Sequence, residues 1–536
     1  MKWEISMILA RTITASASAF ALGLGLAMGL AHAGNTNTFR MMSGEPRFMD
    51  PNLATDYSIY VNAQLFEPLA RIDEKGNLVL RQAKSIDLAP DGRTWTITLD
   101  PAYKWSNGDP VTAQDWVYSW KRILDPRLAS EVAPFLSDVE NAEAYNKGKI
   151  TDPDAVGIKA TGEFTFQVKT SVVAPYFRAK LALPYLTPVP KAVVEKAGDK
   201  WIAPENMLSN GPYKLASRIN DQSITMEANP YYGGQKPQIG KIEITVASDD
   251  LCTAQLRAFE AREIDFASCV PPQDIPRVKA DAELSSQLVP YAIPGTIWAQ
   301  YDLTRAPWND KRVRQALSLA VDRKAIVAAV SDDTANPTAT VLPASIAGSN
   351  TADALKGSVD DAKKLLAEAG FPDGKGFPQF TITASANRGQ PLIAQLLQQM
   401  WQDNLGVTAT INVLEENAYR AWVKSRKTEP YDVMINQWYS DYSDPANWFG
   451  ELFIGDYRNN HFTTPEFADL VAKGNVETDP AKRIEIFKAA NKILEDAAPM
   501  IPLYNPTDLW LIKPNVKNLQ HEGVLDLYHI GEANIE

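Results

Sequence analysis

The chain has 536 residues, 45% of them hydrophobic and 22% charged, which is enough apolar material for two or three domains. Its formal net charge of −12, with no clustered Lys and Arg, excludes the phosphate contacts that a nucleic-acid partner requires. With four histidines and two cysteines in all, metal or thiol chemistry has few residues to draw on.

Residues 1–33 read as a secretory signal. Lys2 and Arg11 precede an Ala, Leu and Gly stretch from Ala15 to Leu30 that ends in Ala31-His32-Ala33, so cleavage is expected after Ala33. The alternative is a membrane anchor, but the apolar core is short and small residues sit where a signal peptidase needs them. No cysteine follows that core, so no lipid anchor is expected. Removing Lys2, Arg11 and Glu4 takes away a net +1 and leaves −13. No later segment approaches about 18 uninterrupted apolar residues, so a soluble exported protein is expected.

The first half alternates at period two: Trp95, Ile97 and Leu99; Phe164, Phe166 and Val168; Ile242, Ile244 and Val246. These predict half-buried strands. Between them, Thr112 caps a helix whose Trp116, Val117, Trp120 and Leu124 share one face. Cys252 and Cys269 flank a helix-like and a strand-like stretch, so a chain that turns back brings them together. Export permits a disulfide there; two buried thiols are the alternative.

From about residue 309 helices and strands alternate regularly. Asn309 and Asp310 cap one helix, and a second, 359–369, ends at Gly370. After the strand "PQFTIT", Pro391 opens a helix that Gly406 stops, and a strand at 407–413 and a helix near 418–427 follow. Asp479 and Pro480 start the last long helix. Helices separating short strands predict parallel crossovers and an α/β domain here, against a mixed α+β first half.

His461, His521 and His529 lie in no metal-ligand spacing, and they read as surface or packing residues. Nucleophile-elbow, Walker and dinucleotide motifs are absent, so neither a cofactor nor a metal is expected. A carboxylate pair stays open, because Asp and Glu are too common to exclude by counting. Such a chain more plausibly binds a molecule than transforms it.

The stretch "KWSNGDPVTAQDWVYSWKRILDP", residues 104–126, resembles the peptide-binding branch of the bacterial family 5 extracellular solute-binding proteins, the periplasmic receptors of ABC importers. "LFEPLARIDEKGNL", "SNGPYKL", "APWNDKRVRQALSLAVDR", "AKKLLAEAGF" and "WYSDYSDPANW" follow in family order and span essentially the whole chain after residue 33. The resemblance implies a two-lobed periplasmic-binding-protein (type II) fold, α/β and α+β, with an extra domain inserted in lobe one. It places lobe one at 34–65, 187–290 and 506–536, the inserted domain at 66–186 and lobe two at 291–505. It also implies a periplasmic location, an oligopeptide ligand and an inner-membrane permease as partner. Nothing points to an oligomer, so a monomer is expected.

The run "YDVMINQWYSDYSDPANWF", residues 431–449, sets two aspartates among aromatics. Asp444 precedes Pro445 and reads as a helix N-cap. Asp441 follows the carboxyl end of a strand at 431–438, the edge where ligands of open α/β sheets gather, and suits either a bound ammonium or a solvated loop. The resemblance favours the first: Trp438-Tyr439-Ser440-Asp441 matches the family's Trp-x-x-Asp, whose aspartate pairs with a peptide α-amino group. It further implies that Thr55, Asp56 and Tyr57 run beside the ligand, that Tyr439 contributes backbone contacts, and that Trp298, Tyr419 and Trp438 form aromatic walls. Core packing is the alternative for each aromatic. Where some relatives carry an arginine for the peptide carboxylate, this chain has Ile435; Arg388 or the cluster Arg420, Lys424 and Arg426 are substitutes. Two competing functions stay open. One keeps the family and binds a murein peptide, an opine, a nickel chelate or another metabolite. The other is a secreted carboxylate-pair hydrolase.

Overall fold

A computed structural model describes residues 37–55, 57–73, 76–247, 250–387 and 389–536. The expected signal at 1–33, Asp56 and Arg388 lie outside the described residues. Two large sheets organise the chain. The first has seven strands in the spatial order Leu288–Ala292, Thr507–Ile512, Phe266–Ala267, Thr38–Gly44, Lys241–Ala247, Ser223–Ala228 and Tyr213–Ile219. The second has six: Asn336–Pro337, Met500–Asn505, Gly295–Tyr301, Val433–Tyr439, Phe380–Ser385 and Ala409–Leu414.

Two strand pairs run from one sheet into the other. Leu288–Ala292 continues into Gly295–Tyr301, and Met500–Asn505 continues into Thr507–Ile512. At the crossing the Ile293 N–H donates to the Pro506 carbonyl at 3.1 Å, so the two connections are tied together where the sheets meet. Short, paired connections of this kind favour hinge motion over free tumbling.

A smaller antiparallel sheet, Ala83–Leu88, Thr94–Leu99, Thr165–Lys169 and Ile158–Gly162, carries two of the three period-two runs, with Phe164 just before its strand; the third, Ile242, Ile244 and Val246, lies on Lys241–Ala247 of the first large sheet. Trp95, Ile97, Leu99, Phe166 and Val168 all face inward, and Trp116 and Trp120 of the helix Ala113–Leu124 cover them. That helix begins with a capping box: the Asp115 carboxylate accepts from the Thr112 N–H and hydroxyl, each at 2.9 Å. This sheet and the first large sheet share one apolar core. The second sheet has its own, filled by Trp308, Phe380, Trp401 and the helices around them.

The second sheet contains the expected parallel crossovers together with antiparallel pairs. Phe380–Ser385 pairs in parallel with both Ala409–Leu414 and Val433–Tyr439, but Val433–Tyr439 is antiparallel to Gly295–Tyr301, as is Met500–Asn505. Gly295–Tyr301, the strand entering from the first sheet, therefore runs against both of its neighbours, a direction that helix spacing along the chain does not encode. The helices themselves fall close to the predicted places. Gln390–Leu405 has Pro391 in its first turn and ends at Gly406 with φ 68°, a left-handed stop suited to glycine. Pro480–Ala497 is capped by Asp479, whose Oδ1 accepts from the Ala481 and Lys482 N–H groups.

Cys252, in the helix Leu251–Glu260, is bonded to Cys269 just beyond the strand Phe266–Ala267. The three histidines each meet a carboxylate: His461 with Asp456, His521 with Asp526 and His529 with Glu522. Burial drives the His529 pKa well below its ordinary value. Among the described residues no three His, Cys, Asp or Glu side chains converge as a metal site, and no helix is long and apolar enough to cross a membrane.

Candidate functional site

Val433–Tyr439 is buried along nearly its whole length, because it lies between two neighbours in the second sheet. Its end delivers Ser440 and Asp441 to the crossing of the two sheets, where the Ser440 N–H donates to the Pro294 carbonyl at 2.9 Å. The Ser440 hydroxyl accepts from the Trp448 indole at 2.8 Å. The loop after the strand is thus pinned on both sides.

Asp441 is held by a single buried amide. Asn447 Oδ1 accepts from the Asp441 N–H at 3.1 Å and from Trp438 Nε1 at 3.0 Å. Its Nδ2 donates to Asp441 Oδ2 at 3.1 Å and to Glu451 Oε2 at 3.0 Å. No ion pair reaches Asp441 among the described residues. Burial raises its carboxyl from the ordinary value to about 6, opposed by the Asn447 hydrogen bond and by the positive charges of Arg458 and Lys180, with Glu451 adding to the rise. A fixed, desolvated carboxylate lacking a cation is the complement of an ammonium group brought in from outside.

Asp444 serves another purpose. Its Oδ1 accepts from the Ala446 N–H at 2.8 Å, as a capping residue should, and both oxygens take Arg483 in a bidentate pair at 2.7 Å each. The helix it starts continues as a π-helix, Asn447–Ile454. Across from this loop, Lys180 lies 5.0 Å from the Tyr442 ring centroid and 3.6 Å from Glu451 Oε1, and it also binds Asp138 at 2.7 Å.

A cavity of ≈ 850 Å³ is lined by residues that include Tyr419, Arg420, Lys424, Tyr457, Arg458 and Glu131; Asp441 is not in its lining and connects to it through Trp438, whose ring carries Arg458. Tyr419 is 6% exposed and its hydroxyl donates to the Ile435 carbonyl, so it presents a ring to the cavity with its polar end satisfied. Trp438 is 5% exposed and packs against Tyr457 with ring centroids 5.3 Å apart. Trp298 is fully buried, with its indole donating to Gln300 at 2.9 Å, so it backs the wall from the core without reaching the cavity. Thr55 is exposed and its hydroxyl lies 3.5 Å from Glu131, at the cavity's opposite rim. Tyr57 is 43% exposed and lies over Gly44, where an added Cβ would stand 2.4 Å from its ring. Tyr439 packs against the second core and Gly295. Of the cationic cluster, Arg420 and Lys424 line the cavity, whereas Arg426 is spent on Glu429 and the Trp422 ring.

Three residues at this site escaped the sequence reading: Asn447, Arg458 and Lys180. Asn447 alone left a trace, a polar residue inside the otherwise apolar run "ANWFGELF" that needs buried partners to be tolerated.

Two lobes joined by a pair of crossing strands, with a further sheet packed against the first and a cleft at the crossing, define the two-lobed periplasmic-binding-protein fold of type II. Residues 77–460 match the family model described as bacterial extracellular solute-binding proteins, family 5 (middle). The chain belongs to that family. The oligopeptide-binding protein OppA of Bacillus subtilis (strain 168) is 32% identical over 513 residues, covering 92% of each chain. Among solved structures, the unliganded open form of the periplasmic murein tripeptide binding protein MppA superposes with a TM-score of 0.82 at 29% identity, over 94% of this chain and 98% of that one. Haemophilus influenzae OppA in complex with RPPGFSPFR gives 0.72 at 28% identity, over 94% and 99%.

Proposed function

We propose that this chain is the periplasmic receptor of an ABC importer, which captures oligopeptides between its lobes and delivers them to an inner-membrane permease. The observation that carries this reading is the half-buried Asp441 carboxylate, without an ion-pair partner and fixed by Asn447 at the crossing of the lobes. A peptide's α-ammonium is the cation that fits, and anchoring one invariant end of the ligand leaves side chains free to vary. The difference between the two TM-scores supports an open, ligand-accepting arrangement of the cleft. Thr55, Tyr57, Tyr439, Trp438 and Tyr419 complete the proposed site, with Trp298 as backing. The distribution of strands supports lobe boundaries at 34–65, 187–290 and 506–536 for lobe one, 291–505 for lobe two and 66–186 for the inserted domain. Export by the segment 1–33, a monomeric receptor and the lack of catalysis belong to the same reading. A thermal-shift screen with di- to pentapeptides tests it: a bound peptide at one hundred times its dissociation constant stabilises by about 2.7 kcal/mol. A screen in which no peptide raises the melting temperature, while another metabolite does, removes the peptide assignment.

A second reading keeps the site and narrows the ligand to a murein peptide. The similarity to MppA favours it, and murein tripeptide outcompeting plain tripeptides of equal length would select it.

A further inference from the structure

Arg458 is a cation without a direct ion-pair partner among the described residues; Asp441 acts on it through space only. Its Nε is shut off from water, and no hydrogen bond or ion pair reaches its guanidinium among the described residues. Two aromatic faces hold it instead, with Cζ 5.3 Å from the Trp438 ring centroid and 5.4 Å from that of Tyr457. Stacking of this kind leaves the in-plane N–H donors of the guanidinium available to a planar, bidentate acceptor.

Of the three acids that line the cavity, Glu131 meets only the Thr55 hydroxyl, at 3.5 Å, and the two nearer Arg458 in the chain are already engaged. Glu416 accepts from Arg420 at 2.7 Å and from the Ser385 hydroxyl at 2.6 Å, and Asp456 accepts from His461. Lys424 and Lys427 line the same cavity and are exposed, so its charge is predominantly positive on the side of lobe two. Burial lowers the Arg458 pKa, and a partially dehydrated guanidinium gains most from a carboxylate delivered into it.

We infer that Arg458 receives a carboxylate of the bound ligand, so that the site selects molecules carrying an ammonium and a carboxylate a short distance apart. The spacing follows from Trp438, which serves both groups: its ring face carries Arg458, and its Nε1 binds the amide that holds Asp441. The carboxylate has two sources, the terminus of a short peptide or an acidic side chain near the start of a longer one. Neither Arg420, spent on Glu416, nor Arg426, spent on Glu429, is as available. The inference rests on the peptide reading above.

Calorimetry on the wild type and Arg458→Gln with four probes tests it: trialanine, its C-terminal amide, and the amides of Ala-Glu-Ala-Ala and Ala-Gln-Ala-Ala. The wild type is expected to prefer at least one carboxylate-bearing probe over its neutral counterpart by about tenfold or more. The pair that shows the preference identifies the source. Arg458→Gln should lose that preference, read as the ratio of charged to neutral probe within each protein, because removing a charge that acts on Asp441 shifts the affinity of every ammonium-bearing probe alike. Arg458→Lys, which keeps a charge on the same stack, should retain about threefold of it. Equal binding of charged and neutral probes by the wild type, or a preference that survives Arg458→Gln, overturns the inference and leaves peptide binding intact. An equal loss for neutral and charged probes in both variants reassigns Arg458 to packing. No binding of any probe by the wild type removes the peptide reading and this inference together.

Discussion

Asn447 grips Asp441 at both ends while bonding Trp438 and Glu451: its oxygen takes the aspartate's own N–H, and one N–H returns to the carboxylate, each at 3.1 Å. Every polar atom of Asn447 is thereby used, so the carboxylate cannot swing toward solvent without stranding a buried amide. Leaving such a group unpaired costs about 1–3 kcal/mol. The loop is therefore held in place by its own hydrogen bonds, and the Asp441 charge is the part left without an ion-pair partner among the described residues.

Asp441→Asn separates function from stability. It removes the anion facing the ligand's ammonium, and peptide affinity should fall by about 2–5 kcal/mol in calorimetry. Because the folded pKa of about 6 lies above the ordinary aspartate value of 3.8, the wild type gives up stability as pH rises through that window. The unliganded variant should thus be more stable than the wild type at pH 7, by roughly 1–3 kcal/mol in urea denaturation. Unchanged peptide affinity removes Asp441 from the site.

The same carboxyl predicts the pH profile of binding. Protonation competes with the ammonium, so affinity should be constant above about pH 7 and decline below about pH 6, approaching about tenfold per pH unit. A profile flat down to pH 4.5, about two units below that onset, contradicts an ionised Asp441 as the anchor.

What the sequence made legible was local. Capping at Thr112, the Pro391 start and Gly406 stop of one helix and the Asp479 start of another are written in residues a few positions apart, where backbone preference decides. Partners distant in the chain left no such mark. Asp444 was readable as a cap, but its bidentate partner Arg483 lies 39 positions on. Trp298 and Tyr419 were ambiguous between wall and core for the same reason. The fold buries the first and gives the second a cavity-facing ring. Asp441 itself was singled out by family resemblance; its tether, its neighbour Arg458 and the mixed direction of the second sheet came only with the coordinates.

Neither cysteine lines the ≈ 850 Å³ cavity, and removal of the pair should act on stability. Closing a loop over a separation of 17 residues stabilises by about 3 kcal/mol in the chain-entropy model. Cys252→Ser should lower unfolding stability by about that amount and leave peptide affinity as it was. A comparable loss of affinity would mean that the pair shapes the cleft.

Lys180 and Glu451 offer a test of sign. Lys180, anchored to Asp138, reaches Glu451 across the cleft's edge, and Glu451 shares the Asn447 amide with Asp441. The two charges act on Asp441 in opposite directions: Glu451 raises its pKa, and Lys180 lowers it. Glu451→Gln keeps an oxygen for Asn447 and removes the charge, so the midpoint of the binding profile should move below about 6. Lys180→Met should move it above that value and weaken binding at pH 7, since more Asp441 is then protonated when the ligand arrives. A carboxyl titration of Asp441 followed by NMR in the two variants reads both shifts without reference to any peptide. Shifts of the same sign in both variants would mean that packing at the cleft's edge, and not charge, sets the affinity of this carboxylate for its proton.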